Sequence, residues 1–115
     1  MRKSIWILSV AASMVLALAV LPTVQKTRAA GPPTADVKID NFNFTPATLT
    51  VKVGTQITWT NNDDIPHTVV SEDHTTFKSK VLDTGEKFTY TATKPGTYSY
   101  FCSIHPKMTG KLLVE

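Results

Sequence analysis

From Asp36 to the end of the chain, apolar side chains alternate with polar ones instead of recurring every three or four positions. Val37 and Ile39 share one face, followed by Leu49, Val51 and Val53, by Ile57 and Trp59, by Val69, by Phe88 and Tyr90, by Tyr98 and Tyr100, and by Leu112 and Val114. A strand sends successive side chains to opposite sides, so a period of two gives half-buried strands and leaves no helical face to bury. Turn-forming residues separate the runs: Asn43 to Pro46, Gly54-Thr55, Asn61 to Pro66, Asp83-Thr84-Gly85 and Lys94-Pro95-Gly96. Seven or so short strands at this spacing predict an all-β fold, two sheets packed as a sandwich with Greek-key connections. The stretch Ser71 to Ser79 is polar and unpatterned and reads as a loop, with room for a short helical turn.

The first 29 residues follow another logic. Arg2 and Lys3 make a short positive start, and Ile5 to Leu21 is an apolar run of 17 residues interrupted by Ser9 and Ser13 and ended by Pro22. Small residues follow at Thr27, Ala29 and Ala30. Residues 1–29 therefore read as a secretory signal peptide, cleaved after Ala29 or, as second choice, Ala30. The run is a little short of the roughly 20 residues that span a bilayer, and an uncleaved membrane anchor is the other reading. Both place the domain outside the cytoplasm. Residues 30–35, with Gly31-Pro32-Pro33-Thr34, read as a stiff spacer, and 36–115 as one folded domain. A chain of 115 residues leaves no room for a second core, which excludes multidomain enzymes.

Charge points the same way once the leader is set aside. The whole chain has 12 basic and 9 acidic residues, which taken alone suggests an anionic partner. Four of the basic ones, Arg2, Lys3, Lys26 and Arg28, lie in the leader, which has no acid. The remainder is nearly neutral, and the electrostatic case for a nucleic-acid partner disappears with the leader.

An exported domain this small is usually stapled by disulfides, yet Cys102 is its single cysteine. It is an inert buried thiol, an intermolecular link, a nucleophile or a metal ligand, and its surroundings have to decide. In Phe101-Cys102-Ser103-Ile104-His105-Pro106-Lys107-Met108, two residues separate Cys from His and His from Met. A strand that ends at Cys102, and a tight loop before a new strand near Gly110, brings thiolate, imidazole and thioether to one end of the sandwich. The fourth ligand is His67, which closes the turn Asn61 to Pro66 and opens a strand from His67 to Val70. Thiolate and thioether select soft or borderline ions, and two His with one Cys and a long, weak axial Met is a blue-copper electron-transfer set. All four protein positions are filled, so none is left for a substrate. His74 stands in a polar loop with no partner at ligand spacing and reads as a solvated side chain. Asp63 and Asp64 read as turn residues, since no further ligands follow at calcium-loop spacing.

These motifs carry a resemblance. From Asp36 to Glu115 the chain resembles the small cupredoxins, and the Cys-x2-His-x2-Met loop with Gly110 and a strand ending in Val114-Glu115 looks most like the amicyanins, with the plastocyanins next. The lead-in Pro-Gly-Thr-Tyr-Ser-Tyr-Phe-Cys, Pro95 to Cys102, is similar in both families. The resemblance implies an eight-stranded sandwich, a type 1 copper cycling between Cu(I) and Cu(II) at His67, Cys102, His105 and Met108, and a periplasmic electron shuttle. Two departures stand out: Thr68 where the family has Asn after its first His ligand, and Lys107 where amicyanins tend to carry an aromatic.

The expected function is therefore a mobile, monomeric one-electron carrier and not an enzyme. His105 would pass electrons through an apolar patch of Ile65, Pro66, Ile104 and Pro106, docking briefly on redox proteins such as a c-type cytochrome or a periplasmic dehydrogenase. Lys107 would favour an acidic partner edge. A membrane contact arises only if residues 1–29 are retained. Copper storage or delivery without redox cycling is the alternative. Oxidases and nitrite reductases need a second copper centre, and three histidines with no His-x-His do not supply one.

Overall fold

The computed structural model describes residues 31–115 without a break, and Ser4, Ala17, Ala19, Val20 and Pro22 as isolated positions. The segment 1–29, read as an export signal, thus lies outside the continuous described stretch. Among the described residues there are eight strands, and no helix is long and apolar enough to cross a membrane. The strands are β1 (Thr34–Asp40), β2 (Asn43–Thr45), β3 (Thr48–Val51), β4 (Gln56–Asn61), β5 (Val70–Ser71), β6 (Lys87–Thr91), β7 (Gly96–Phe101) and β8 (Thr109–Val114).

They form two four-stranded sheets, ordered β2-β1-β4-β6 and β3-β8-β7-β5. Two pairings are parallel: β1 lies along β4 with Val37 opposite Trp59, and β3 along β8 with Leu49 opposite Leu112. The period of two does what it predicts, because Val37, Ile39, Ile57 and Trp59 of one sheet bury against Tyr100, Leu112 and Val114 of the other. Tyr100 is the hub, edge-on to Trp59 at 5.6 Å and to Phe44 at 4.7 Å between ring centroids, arrangements that add about 0.5–1.5 kcal/mol each to the burial of area. Opposite Tyr100 in the register stands Gly110, and a Cβ there would lie 2.2 Å from Tyr100 Cζ. The ring occupies the space a side chain would need.

Several local expectations are corrected. β1 begins at Thr34, inside the segment read as a spacer, because Thr34 pairs with Gln56 and the Gln56 N–H donates to Pro33 O at 2.8 Å. Asn43 to Thr45 is strand, not turn; its polar flanks hide a single inward Phe44, and the reversal falls on Asn41-Phe42. Val53 is exposed, since β3 has already ended at Val51. The strand expected from His67 to Val70 is reduced to bridges, His67 with Leu82 and Val70 with Lys78, ahead of the two-residue β5. The loop after it is ordered by Asp73, which accepts the Ser71 hydroxyl, the Thr75 and Thr76 N–H groups and the Thr76 hydroxyl. These donors, the Ser71 hydroxyl first, hold its carboxyl far below the usual range. Phe77, unforeseen in a polar stretch, enters the core.

Candidate metal centre

His67 follows the turn after β4, Cys102 sits at the end of β7, and His105 and Met108 occupy the connection to β8. That connection closes on itself: the Cys102 N–H donates to Met108 O at 3.0 Å, and the Met108 N–H to His105 O at 2.9 Å. Cys102 Sγ lies 3.6 Å from His67 Nδ1 and 3.8 Å from His105 Nδ1, and the three donor atoms lie within 4.8 Å of one another. An ion with bonds of about 2.0 Å to nitrogen and about 2.3 Å to sulfur holds such atoms roughly 3.5 to 3.8 Å apart. The ligand spacing is thus already present in the protein. His67, Cys102 and Met108 are buried, and His105 is half-buried.

Electrostatics prepares the donors. Burial pushes the Cys102 thiol up, but the Thr68 N–H, His67 and His105 more than offset this and bring it down from 9.0 to about 6. The Thr68 N–H stands 3.4 Å from Sγ and its hydroxyl 3.8 Å, while the hydroxyl also accepts the Ser103 N–H at 2.7 Å. Thr68 therefore braces the two ligand segments against each other. His67 turns Nε2 to Asp63 Oδ2 at 2.8 Å. Asp63 accepts N–H groups from Phe42 and Asn41 as well; these bonds, the one from Phe42 first, hold its carboxyl below the ordinary value. An ionised carboxylate only accepts, so Nε2 carries a proton toward Asp63, and Nδ1 is the ring atom turned to the sulfur.

Comparison with known proteins follows the geometry. The cupredoxin-like domain family matches residues 10–114. The chain belongs to that family. This cupredoxin is 32% identical to amicyanin-alpha of Methylorubrum extorquens over 111 residues, covering 90% of this chain and 88% of the relative. It is similar to the structure of a purple cupredoxin from Nitrosopumilus maritimus, at 34% identity and a TM-score of 0.65 over 70% of this chain and 99% of that one. It also superposes on the copper-containing nitrite reductase of Thermus scotoductus, at 35% identity and a TM-score of 0.65, over 73% of this chain but 22% of that one. Its donor chemistry, two imidazoles, a thiolate and a thioether, is that of a blue-copper electron carrier.

The cupredoxin sequence left two residues of this end unread. Asp63 is not a plain turn residue; it is buried and paired with a histidine, and a carboxylate four positions before a ligand-type His was a usable signal. Phe42 had none. It is exposed, yet its ring meets His67 at 5.6 Å and His105 at 5.1 Å, edge-on to both. A cleft of about 600 Å³ opens beside it, lined by Ile104, His105, Pro106, Lys107 and Met108. Ile65 and Ile104 are exposed as expected. His74 stays outside the cluster, its ring against Phe101 at 5.6 Å.

Proposed function

We propose that His67, Cys102, His105 and Met108 hold one copper ion and that the protein is a mobile periplasmic carrier of single electrons. The observation that carries this reading is a buried thiol and two imidazoles already at metal-ligand spacing, with the thiol lowered to about 6. Copper, when bound, supplies the Cu(I)/Cu(II) couple. The chain supplies the rest: burial of His67, Cys102 and Met108 excludes water, Asp63 holds the His67 tautomer, and half-buried His105 gives the site its edge toward solvent. The exposed apolar side chains Phe42, Ile65 and Ile104 around that edge suit brief docking over a small area, and Lys107 biases it toward an acidic partner such as a c-type cytochrome.

Storage without cycling would use the same donors, but a single enclosed site with no Met-rich or His-rich tract favours the carrier. A reductase reading has less support, because the similarity spans a small share of that enzyme and this chain has only three histidines.

Protein recovered from the periplasmic fraction and loaded with Cu(II) should show an intense visible band that bleaches with ascorbate and returns on oxidation. A colourless copper-loaded protein would remove the carrier reading. Lys107→Glu should slow association with an acidic c-type cytochrome about tenfold at low salt, the two rates converging near 1 M, where the screening length is about 3 Å. Equal rates at low salt would remove the acidic partner.

A further inference from the structure

The turn between β1 and β2 has both residues at positive φ, 49° for Asn41 and 59° for Phe42. Such two-residue turns take Asn, Asp or Gly. Asn41 suits the conformation, whereas a bulky side chain in it is strained and needs outside support. Asp63 provides that support, accepting the Asn41 N–H on Oδ1 at 2.8 Å and the Phe42 N–H on Oδ2 at 3.0 Å. Oδ2 also meets His67 Nε2. One carboxylate thus ties a strained turn to one imidazole.

The second imidazole is oriented differently. Among the described residues, the side chain of His105 has a single polar contact, the 3.8 Å approach of Nδ1 to Cys102 Sγ, so packing has to fix the ring. Two rings pack there at 5.1 Å between centroids, that of His67, tilted at 59°, and that of Phe42, at 87°; Phe42 is the one that is not itself a candidate ligand. Phe42 remains 44% exposed, so the strained conformation is not explained by burial.

We propose that the β1–β2 turn is a clamp on His105, in which Asp63 fixes the backbone of Phe42 and the Phe42 ring fixes the imidazole. Both are positioning residues; Asp63 reaches His105 through Phe42 and, by a second route, through His67, whose ring also meets that of His105. The value of the clamp for electron transfer rests on the copper reading above; the contact does not. It is therefore tested in the metal-free protein, where a failure to bind copper and a failure of the clamp are told apart.

The measurement is imidazole ring motion of His105 by NMR relaxation dispersion, with the unfolding midpoint followed alongside. Phe42→Gly puts a favoured residue into the turn and should keep or raise the midpoint while increasing His105 exchange about fivefold. Asp63→Asn should do the same to His105 in the native background and add less when Phe42 is already Gly. Phe42→Tyr, which keeps the ring edge, should leave His105 as it is. An unchanged His105 in Phe42→Gly would overturn the clamp, as would Phe42→Tyr behaving like Phe42→Gly. An equal response to Asp63→Asn in both backgrounds would show that Asp63 acts without Phe42. Should Asp63→Asn not fold, the two Phe42 variants still decide whether the ring holds the imidazole.

Discussion

Cys102→Ser should give a folded, colourless protein that binds copper more than about 100-fold more weakly, beyond the range seen when a supporting group of a metal site is lost. The thiolate is the soft anionic donor of the set, and a serine hydroxyl does not ionise near neutral pH. Its smaller atom fits the same fully buried position, and the Thr68 N–H that faces Sγ can still donate to it. The fold should therefore survive, with a change in unfolding free energy near pH 7 of no more than about 1–2 kcal/mol. A pH control separates site from fold. Because the Cys102 thiol is lowered from 9.0 to about 6 in the folded chain, its contribution to stability is complete above the unfolded value and is lost as the pH falls through the folded one. Metal-free native protein should thus gain stability between about pH 6 and pH 9, and Cys102→Ser should not show this gain. A serine variant that kept the visible band would mean that another residue supplies the thiolate-like donor, and the ligand assignment would be wrong.

Gly110→Ala should destabilise the protein by about 3 kcal/mol, the upper end of what overpacking does to a closed core. The clash is with one side chain: the added Cβ would stand 2.2 Å from Tyr100 Cζ, 2.4 Å from its hydroxyl and 2.6 Å from Cε2. The ring cannot retreat, because Trp59, Phe44 and Phe77 surround it. Thr109-Gly110 follows Met108 directly, so the variant should also perturb the metal end, visible as a shifted copper spectrum. Urea unfolding measures the first effect. Tyr100→Leu, which removes all three clashing atoms, should recover part of the loss when combined with Gly110→Ala. If Gly110→Ala unfolded within about 0.5 kcal/mol of the native protein, in the range of an ordinary surface change, the packing argument would fail.

What the sequence revealed and what it hid divide along the reach of the interactions. The alternation of Val37 with Ile39, Ile57 with Trp59 and Leu112 with Val114 is a local signal, and those residues are core. The Cys102, His105 and Met108 spacing is local too, and His67 was found because Ile65-Pro66 closes a turn just before it. Asp63 and Phe42 are another matter. Asp63 stands four positions before His67 and could have been read, but its bond to Phe42 spans 21 residues, and nothing beside Phe42 in the chain marks it as the neighbour of two histidines. The parts of the fold that were misread share this cause: β2 has one inward residue, β5 has two residues in all, and both exist because a long neighbouring strand offers its edge. Phe77 was missed since its loop is shaped by Asp73 and not by periodicity.

The parallel pairing of β3 with β8 has a consequence for the order of events. Thr48 finds Lys111, and His67 finds Cys102, 35 positions away, so no short contiguous piece of chain carries the ligand set. Pairings of this reach form slowly, and the four donors meet only once His67 has been brought to the segment from Cys102 to Met108. The complete set of donors exists only in the assembled sandwich. Three of the four donors are sealed in it, and the half-buried edge of His105 is what still faces solvent, so on the reading proposed above an ion and a redox partner would share one approach.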